Sequence, residues 1–111
     1  MQEGDIALIV MPQPDGTKKL RPVLLIKKVP PFNDWTVCAI SSQLQQEVKG
    51  FDWVINKTDP GFRASGLKDA SLIRLGVLAT LSTNAFPGTI GKLSSADLAM
   101  LKKRLASHLS S

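Results

Sequence analysis

The 111 residues contain one cysteine, Cys38, so no internal disulfide can form, and no CxxC or cysteine/histidine cluster is present to hold zinc. A chain of this kind belongs in a reducing compartment. The one histidine, His108, lies near the end of the chain in a segment of helical period, which leaves no Ser/His/Asp triad to assemble. Glycine-rich phosphate loops are missing as well. Asp15-Gly16-Thr17 reads as a hairpin turn, and Thr89-Ile90-Gly91-Lys92 lacks both the glycine pattern and the following serine or threonine of a P-loop. Carboxylates are scattered without a same-face pair, so metal-assisted hydrolysis has no support and no metal or cofactor is expected. The longest apolar runs, Ile6 to Pro12 and Pro22 to Ile26, fall far short of the roughly 18 residues that cross a bilayer, and Glu3 and Asp5 interrupt any signal-peptide start. A soluble, cytoplasmic protein without membrane association is expected.

What is present suits one domain spanning residues 1–111, since 43% of the residues are hydrophobic and 21% charged and a chain of this length can bury a core unaided. No repeat, linker or low-complexity segment divides it. Fourteen lysines and arginines against nine acids give a net charge of +5, a balance that fits a polyanion such as nucleic acid or an acidic protein.

The chain reads as mainly β. Ile6 to Met11 is a continuous apolar run ended by the turn cluster Pro12 to Gly16, and Arg21 to Val29 follows, with Pro22 tolerable only at a strand start or edge. Trp35 to Ser42 places Trp35, Val37, Ala39 and Ser41 on one face and Thr36, Cys38, Ile40 and Ser42 on the other. Phe51 to Asn56 is a shorter strand, and Ser71 to Leu75 and Val77 to Leu81 are two more, separated at Gly76, where a bulge or a close backbone approach is expected. Only the C-terminal segment has a helical period, through Leu98, Leu101, Leu105 and Leu109, with Ser94 as N-cap and Asp97 in capping-box position. The basic triplet Lys102-Lys103-Arg104 then sits towards the negative end of the helix dipole and reads first as a solvated face. Six short strands and one terminal helix point to a small, curved sheet or partly closed barrel.

The residues able to carry chemistry are led by arginines. Arg21 stands where the basic loop Lys18-Lys19-Leu20 enters a strand, and from that strand mouth it can aim a planar, permanently charged fork at a phosphate. Ser41 and Ser42 end another strand and can donate hydroxyl hydrogen bonds, Gln43 adds an amide, and Arg74 is a second cation between Ile73 and Leu75. Each has a plainer reading, the arginines as surface or ion-pair residues and the serines as turn formers.

The order of short motifs narrows the choice. Gly4-Asp5-Ile6 opens a strand, Pro12 and Asp15-Gly16 precede Arg21-Pro22-Val23-Leu24-Leu25, and Ala39-Ile40-Ser41-Ser42-Gln43 follows. Gly66-Leu67, Ser71-Leu72-Ile73-Arg74 and Ile90-Gly91-Lys92-Leu93-Ser94 complete the series. Over nearly the whole chain this resembles the MazF/PemK family of toxin-antitoxin toxins. The resemblance implies an SH3-like small β-barrel (CcdB/MazF-like) with a C-terminal α-helix, a homodimer, and a metal-independent endoribonuclease that cuts single-stranded messenger RNA. It also implies an acidic, partly disordered antitoxin that blocks the RNA groove. By the same resemblance, Arg21 and Ser41 match the cleavage site, with serine in place of the commoner threonine, and Arg74 matches an arginine that serves as an acid in some members. The aspartate often found two residues after that arginine is Gly76 here, and the histidine found before Arg-Pro in other members is absent. Lys18, Lys19, Ser42 and Gln43 are assigned to RNA binding, and Asp5 and Asp15 are conceivable general bases. A non-catalytic or protein-targeting binding module on the same barrel is the alternative, because a fold does not determine its function.

Two consequences follow for partners. Ile6 to Met11 and Pro22 to Ile26 are apolar on both faces, whereas a small barrel has one interior to fill, so part of this surface is expected to meet a second copy. The antitoxin is expected to dock as an acidic segment along Lys18 and Lys19.

Overall fold

The computed structural model describes residues 1–111. Its strands are β1 (Asp5–Pro12), β2 (Lys18–Val29), β3 (Asp34–Ser41), β4 (Trp53–Ile55), β5 (Ser71–Ser82) and β6 (Gly88–Lys92), with a one-turn helix α1 (Phe62–Ser65) and a terminal helix α2 (Ser95–Ser110). All six pair antiparallel in one sheet, in the order β4-β5-β3-β2-β1-β6. The sheet curls into a half-barrel with α2 packed on one of its faces, which is the curved, mainly β architecture expected. No helix is long and apolar enough to cross a membrane.

The β1–β2 connection shows how local chemistry sets register. The Asp15 carboxylate accepts from the backbone N–H of Thr17 at 2.9 Å and from its hydroxyl at 2.6 Å, and these two bonds hold its pKa below the usual aspartate range. Gly16 takes φ +86°, open to glycine at no steric cost. So tight a turn leaves no slack for a loop at Lys18 and Lys19. They are already in β2, in register with Pro12 and Met11, and Arg21 lies inside the strand opposite Ile9 rather than at its mouth. Pro22 is tolerated because β3 pairs with β2 only from Val23 onward, leaving that side of the strand free of a ladder.

Both faces of the central strands are buried. Ile6, Leu24, Cys38, Ile40 and Ile73 join Leu101 and Leu105 of α2 in the main core, while Ala7, Val23, Leu25 and Val37 pack with Trp35 beneath Phe86 on the opposite face. Trp35 Nε1 donates to Thr83 Oγ1 at 3.1 Å, which fastens the turn carrying Phe86. Much of the two-faced apolarity of β1 and β2 is therefore satisfied within one chain, and Val10, Met11 and Leu20 are what remains exposed of it. Burial drives the Cys38 thiol up to about 12, so it is a small hydrophobe here and not a nucleophile.

Several sequence expectations are corrected. The strand expected over Phe51 to Asn56 is confined to Trp53–Ile55, because Asp52 turns its carboxylate inward and Arg104 takes the carbonyls of Phe51 and Asp52 at 3.3 and 2.9 Å. The two strands expected around Gly76 are one, β5, and the break is a bulge within it. Neither α1 nor β6 is foreshadowed by periodicity. In α2, Ser94 accepts from the Asp97 N–H at 3.1 Å, as its position promised, but Leu109, expected on the apolar face, is exposed.

The basic triplet is not simply a solvated face. Lys102 hydrogen-bonds the Glu3 carboxylate, whose other oxygen lies 3.5 Å from Lys27 Nζ, so the N-terminus, β2 and α2 are tied at one point. The Lys102 hydrogen bond is the main reason the Glu3 pKa lies below its ordinary 4.5, against a smaller opposing effect of burial. A carboxylate with a depressed folded pKa stabilises the fold fully above its unfolded value and loses that contribution as pH falls through the folded one. The melting-temperature gap between wild type and Glu3→Gln is therefore expected to be widest near neutrality and to close as the pH drops below 4.5. A gap that is constant across that range would show the tie to be electrostatically idle.

Candidate active site

At the end of the sheet where β2, β3 and β5 come together, two adjoining grooves share Arg21, Pro22, Ile40, Ser41 and Ser42 in their walls. One, of about 420 Å³, runs towards Lys19, Leu67 and Asp69. The other, of about 340 Å³, runs towards Met11, Gln43 and Arg74. Two larger cavities, of about 620 and 660 Å³, lie elsewhere, one against the last turns of α2 and one at its start. They contain neither Arg21 nor Ser41.

Strand geometry explains the convergence. Ala39 of β3 is paired on one side with Val23 of β2 and on the other with Arg74 of β5, so the residues just beyond Val23 and Ala39 along their strands, Arg21 and Ser41, flank one corner of the sheet. Gln43 donates its backbone N–H to Ser41 Oγ at 3.0 Å. The serine oxygen is thereby occupied as an acceptor, and its hydroxyl hydrogen is directed to another group.

Arg74 is half-buried, and its Nε–H is enclosed without a hydrogen-bond partner. Leaving a buried donor unmet costs about 1–3 kcal/mol. The molecule's three ion pairs, Lys27–Glu3, Lys57–Asp69 and Lys102–Glu3, use neither arginine. The corner thus holds two guanidinium groups without carboxylate partners, beside a hydroxyl with a free hydrogen. Such a cluster suits an oxyanion with several acceptor oxygens, above all a phosphodiester.

Of the residues singled out in the sequence, Arg21, Ser41 and Ser42 line both grooves, Lys19 lines the first, and Gln43 and Arg74 line the second. Lys18 lines neither and lies exposed at the hairpin end of β2. Asp5 and Asp15 are also outside: Asp5 accepts from the Gln2 N–H at 2.8 Å at the far end of β1, and Asp15 is consumed by its turn. His108 is remote too, with its ring 4.5 Å from that of Phe51. Sequence reading missed the segment Gly66 to Ser71, which forms a wall of the first groove and contributes Asp69 as its carboxylate. Only its ends, Gly66-Leu67 and Ser71, stood among the sequence motifs.

The model of the PemK-like, MazF-like toxin of type II toxin-antitoxin systems matches residues 2–109. The chain belongs to this family. Among solved structures, Mycobacterium tuberculosis toxin MazF-mt6 is similar in fold, with a TM-score of 0.66 at 20% identity over 96% of each chain. No curated protein sequence matches. As a MazF-like type II toxin, the protein implies a cognate antitoxin as its partner, and its half-barrel with terminal helix is the fold of that family.

Proposed function

We propose that this MazF-like toxin is an endoribonuclease that cuts single-stranded messenger RNA, and that the corner formed by Arg21, Ser41 and Arg74 is where it cuts. The observation that carries the reading is the pair of arginines without carboxylate partners lining one groove beside the Ser41 hydroxyl. The RNA supplies its own nucleophile. Attack of the 2′-oxygen on the neighbouring phosphorus forms the P–O2′ bond and breaks the P–O5′ bond. The 2′-hydroxyl gives its proton to solvent and O5′ takes one from Arg21, which solvent reprotonates, so no net proton is consumed and a 2′,3′-cyclic phosphate and a 5′-hydroxyl are left. The protein's task is to hold the phosphate and to neutralise charge that grows on its oxygens in the transition state. Arg21 balances that charge and protonates the leaving oxygen, Ser41 donates to a phosphate oxygen, and Arg74 supplies the second cation. Lys19, Ser42 and Gln43 hold the flanking nucleotides, with Lys18 reaching the strand only from the hairpin end.

The decisive experiment incubates the purified protein with a long RNA in EDTA and sequences the new ends. Cleavage with cyclic-phosphate termini is expected. Intact RNA, with the protein still toxic and still bound by its antitoxin, would favour the alternative of a binding module on the same barrel.

The serine role can be tested separately. Ser41→Ala removes one hydroxyl donor from a charged acceptor and is expected to slow cleavage on the order of tenfold, whereas Ser41→Thr keeps the hydroxyl and should cleave at close to the wild-type rate. Equal loss in both variants would mean that shape at this position, and not the hydrogen bond, is what cleavage requires.

The same reading has the toxin act in the cytoplasm as one domain and as a homodimer, its groove completed by the second copy. The exposed Val10, Met11 and Leu20 lie beside Lys18 and Lys19 on the β1–β2 hairpin, a strip with both the apolar surface and the positive charge that an acidic, folding-upon-binding antitoxin segment would use. Sedimentation at micromolar concentration is expected to give twice the chain mass. A monomer would remove the two-copy groove.

A further inference from the structure

The bulge in β5 has a consequence for Arg74. Between Cys38 and Ala39, one step along β3, the partner on β5 jumps from Leu78 to Arg74. Leu75, Gly76 and Val77 are therefore looped out of the β3 ladder. The Leu75 N–H donates instead to Asp52 Oδ1 at 3.1 Å, across 23 residues of sequence. The other carboxylate oxygen of Asp52 accepts from the Val48 N–H at 3.0 Å. Asp52 is only 4% exposed, and no lysine or arginine pairs with its carboxylate. The nearby Arg104 bonds the backbone carbonyls of Phe51 and Asp52 instead. A buried carboxylate without a counter-ion is costly to keep, and here it answers a need that a neutral side chain meets poorly, namely two backbone donors facing one group. An asparagine would offer one oxygen and turn an NH₂ towards the other donor.

Leu75 directly follows Arg74, so the bond to Asp52 marks where the regular ladder stops. Side chains alternate faces along a strand, and a slip of one residue at the bulge would carry Arg74 from the groove to the opposite face of the sheet. We infer that Asp52 is the positioning residue for Arg74: by capping the bulge at Leu75 it holds the Arg74 guanidinium on the groove side, next to Ser41. The inference rests on the proposed reading of Arg74 as a ligand for the RNA phosphate. Phe51 supports the arrangement from the other side, since its Cε2 lies in ordinary contact range, 3.5 Å, of where a Cβ on Gly76 would be.

The test uses the full chain and a mixed-sequence, single-stranded 2′-deoxyoligonucleotide, which carries phosphates but lacks the nucleophile. Binding is measured for wild type, Asp52→Asn, Arg74→Ala and the double variant, each well below its melting temperature, and the crystal structure of Asp52→Asn is determined. Arg74→Ala and Asp52→Asn are each expected to weaken binding on the order of tenfold, with no further loss on combining them, and the crystal structure should show the Arg74 guanidinium drawn away from Ser41. Losses that multiply in the double variant, or an Asp52→Asn structure with Arg74 unmoved, would overturn the inference. If Arg74→Ala binds as wild type does, it is the phosphate-ligand reading that falls, and the Asp52→Asn structure alone then decides the positioning. Should Asp52→Asn fail to fold, hydrogen exchange of the wild-type Leu75 amide replaces it. Coupling is reciprocal, so oligonucleotide binding must slow exchange at Leu75, and an unchanged rate overturns the inference.

Discussion

Arg21→Ala is expected to reduce RNA cleavage by on the order of 100-fold or more, comparable to deleting a donor from an oxyanion hole, while the protein stays folded. The loss should be larger than that of Ser41→Ala because two contributions disappear together, a charged anchor for the phosphate and the cation that balances the transition state. Folding should survive because Arg21 is half-buried at a groove, carries no ion pair and is held in β2 by its backbone, opposite Ile9. Its side chain contributes nothing to either hydrophobic cluster. Cleavage rates and thermal melts measured side by side decide the matter. Full cleavage by a well-folded Arg21→Ala protein would move the chemistry to Arg74, whereas loss of cleavage together with loss of the melt would point to a structural role for Arg21.

The second large effect concerns the fold that builds the groove. Gly66 ends α1 with φ +71°, and a Cβ there would be driven into the carbonyl of Ile90 in β6. From the other side, a Cβ on Gly91 would be driven into the backbone of Ala64 and Ser65. The two glycines therefore face a backbone-on-backbone contact in which nothing flexible can yield. Gly91→Ala should separate α1 from β6 and cost about 3 kcal/mol or more, in the range of severe single substitutions, which for a domain of this size is a fall of well over 10 °C in melting temperature. Gly16→Ala is the control. Gly16 also has a positive φ, +86°, but nothing lies within 4 Å of its added Cβ, so only the conformational strain of about 1 kcal/mol remains. Equal melts for the two variants would show that the close approach of α1 and β6 does not hold the structure together. Because Gly66 and Ile90 also line the first groove, a Gly91→Ala protein that remains folded in the cold should cleave poorly.

Much of this architecture was legible in the chain. Alternating and continuous apolar runs gave β1, β2 and β3 to within a few residues and β5 as two pieces, and the leucine spacing with Ser94 as cap gave α2, since such patterns arise from neighbours in sequence packing on one face. Arg21, Ser41 and Arg74 could be named as candidates because a permanent cation and a hydroxyl at strand ends suit a phosphate whatever surrounds them. What the residues alone could not establish was that these three meet, because 20 positions separate the first two and more than 30 the last two. Their meeting depends on which strands are neighbours and in what register.

The misses share one physical cause. α1 is a single turn and β6 carries two glycines in five residues, so neither has a period to detect; each exists because the other's backbone lies against it. Asp52 looked like any polar residue at the start of a strand, and only the bulge 23 residues further on supplied the unpaired N–H that made its burial worthwhile. Sequence by itself determined the elements whose stability comes from their own periodicity and turns, such as the Asp15-Gly16 hairpin and the capped terminal helix. The tertiary structure alone decided the strand order, the bulge in β5 beside Arg74, the glycine-to-backbone contact between α1 and β6, and the position of Asp5 and Asp15 away from both grooves. Those features depend on pairs of groups far apart in the chain, whose contact free energy exists only after the sheet has closed.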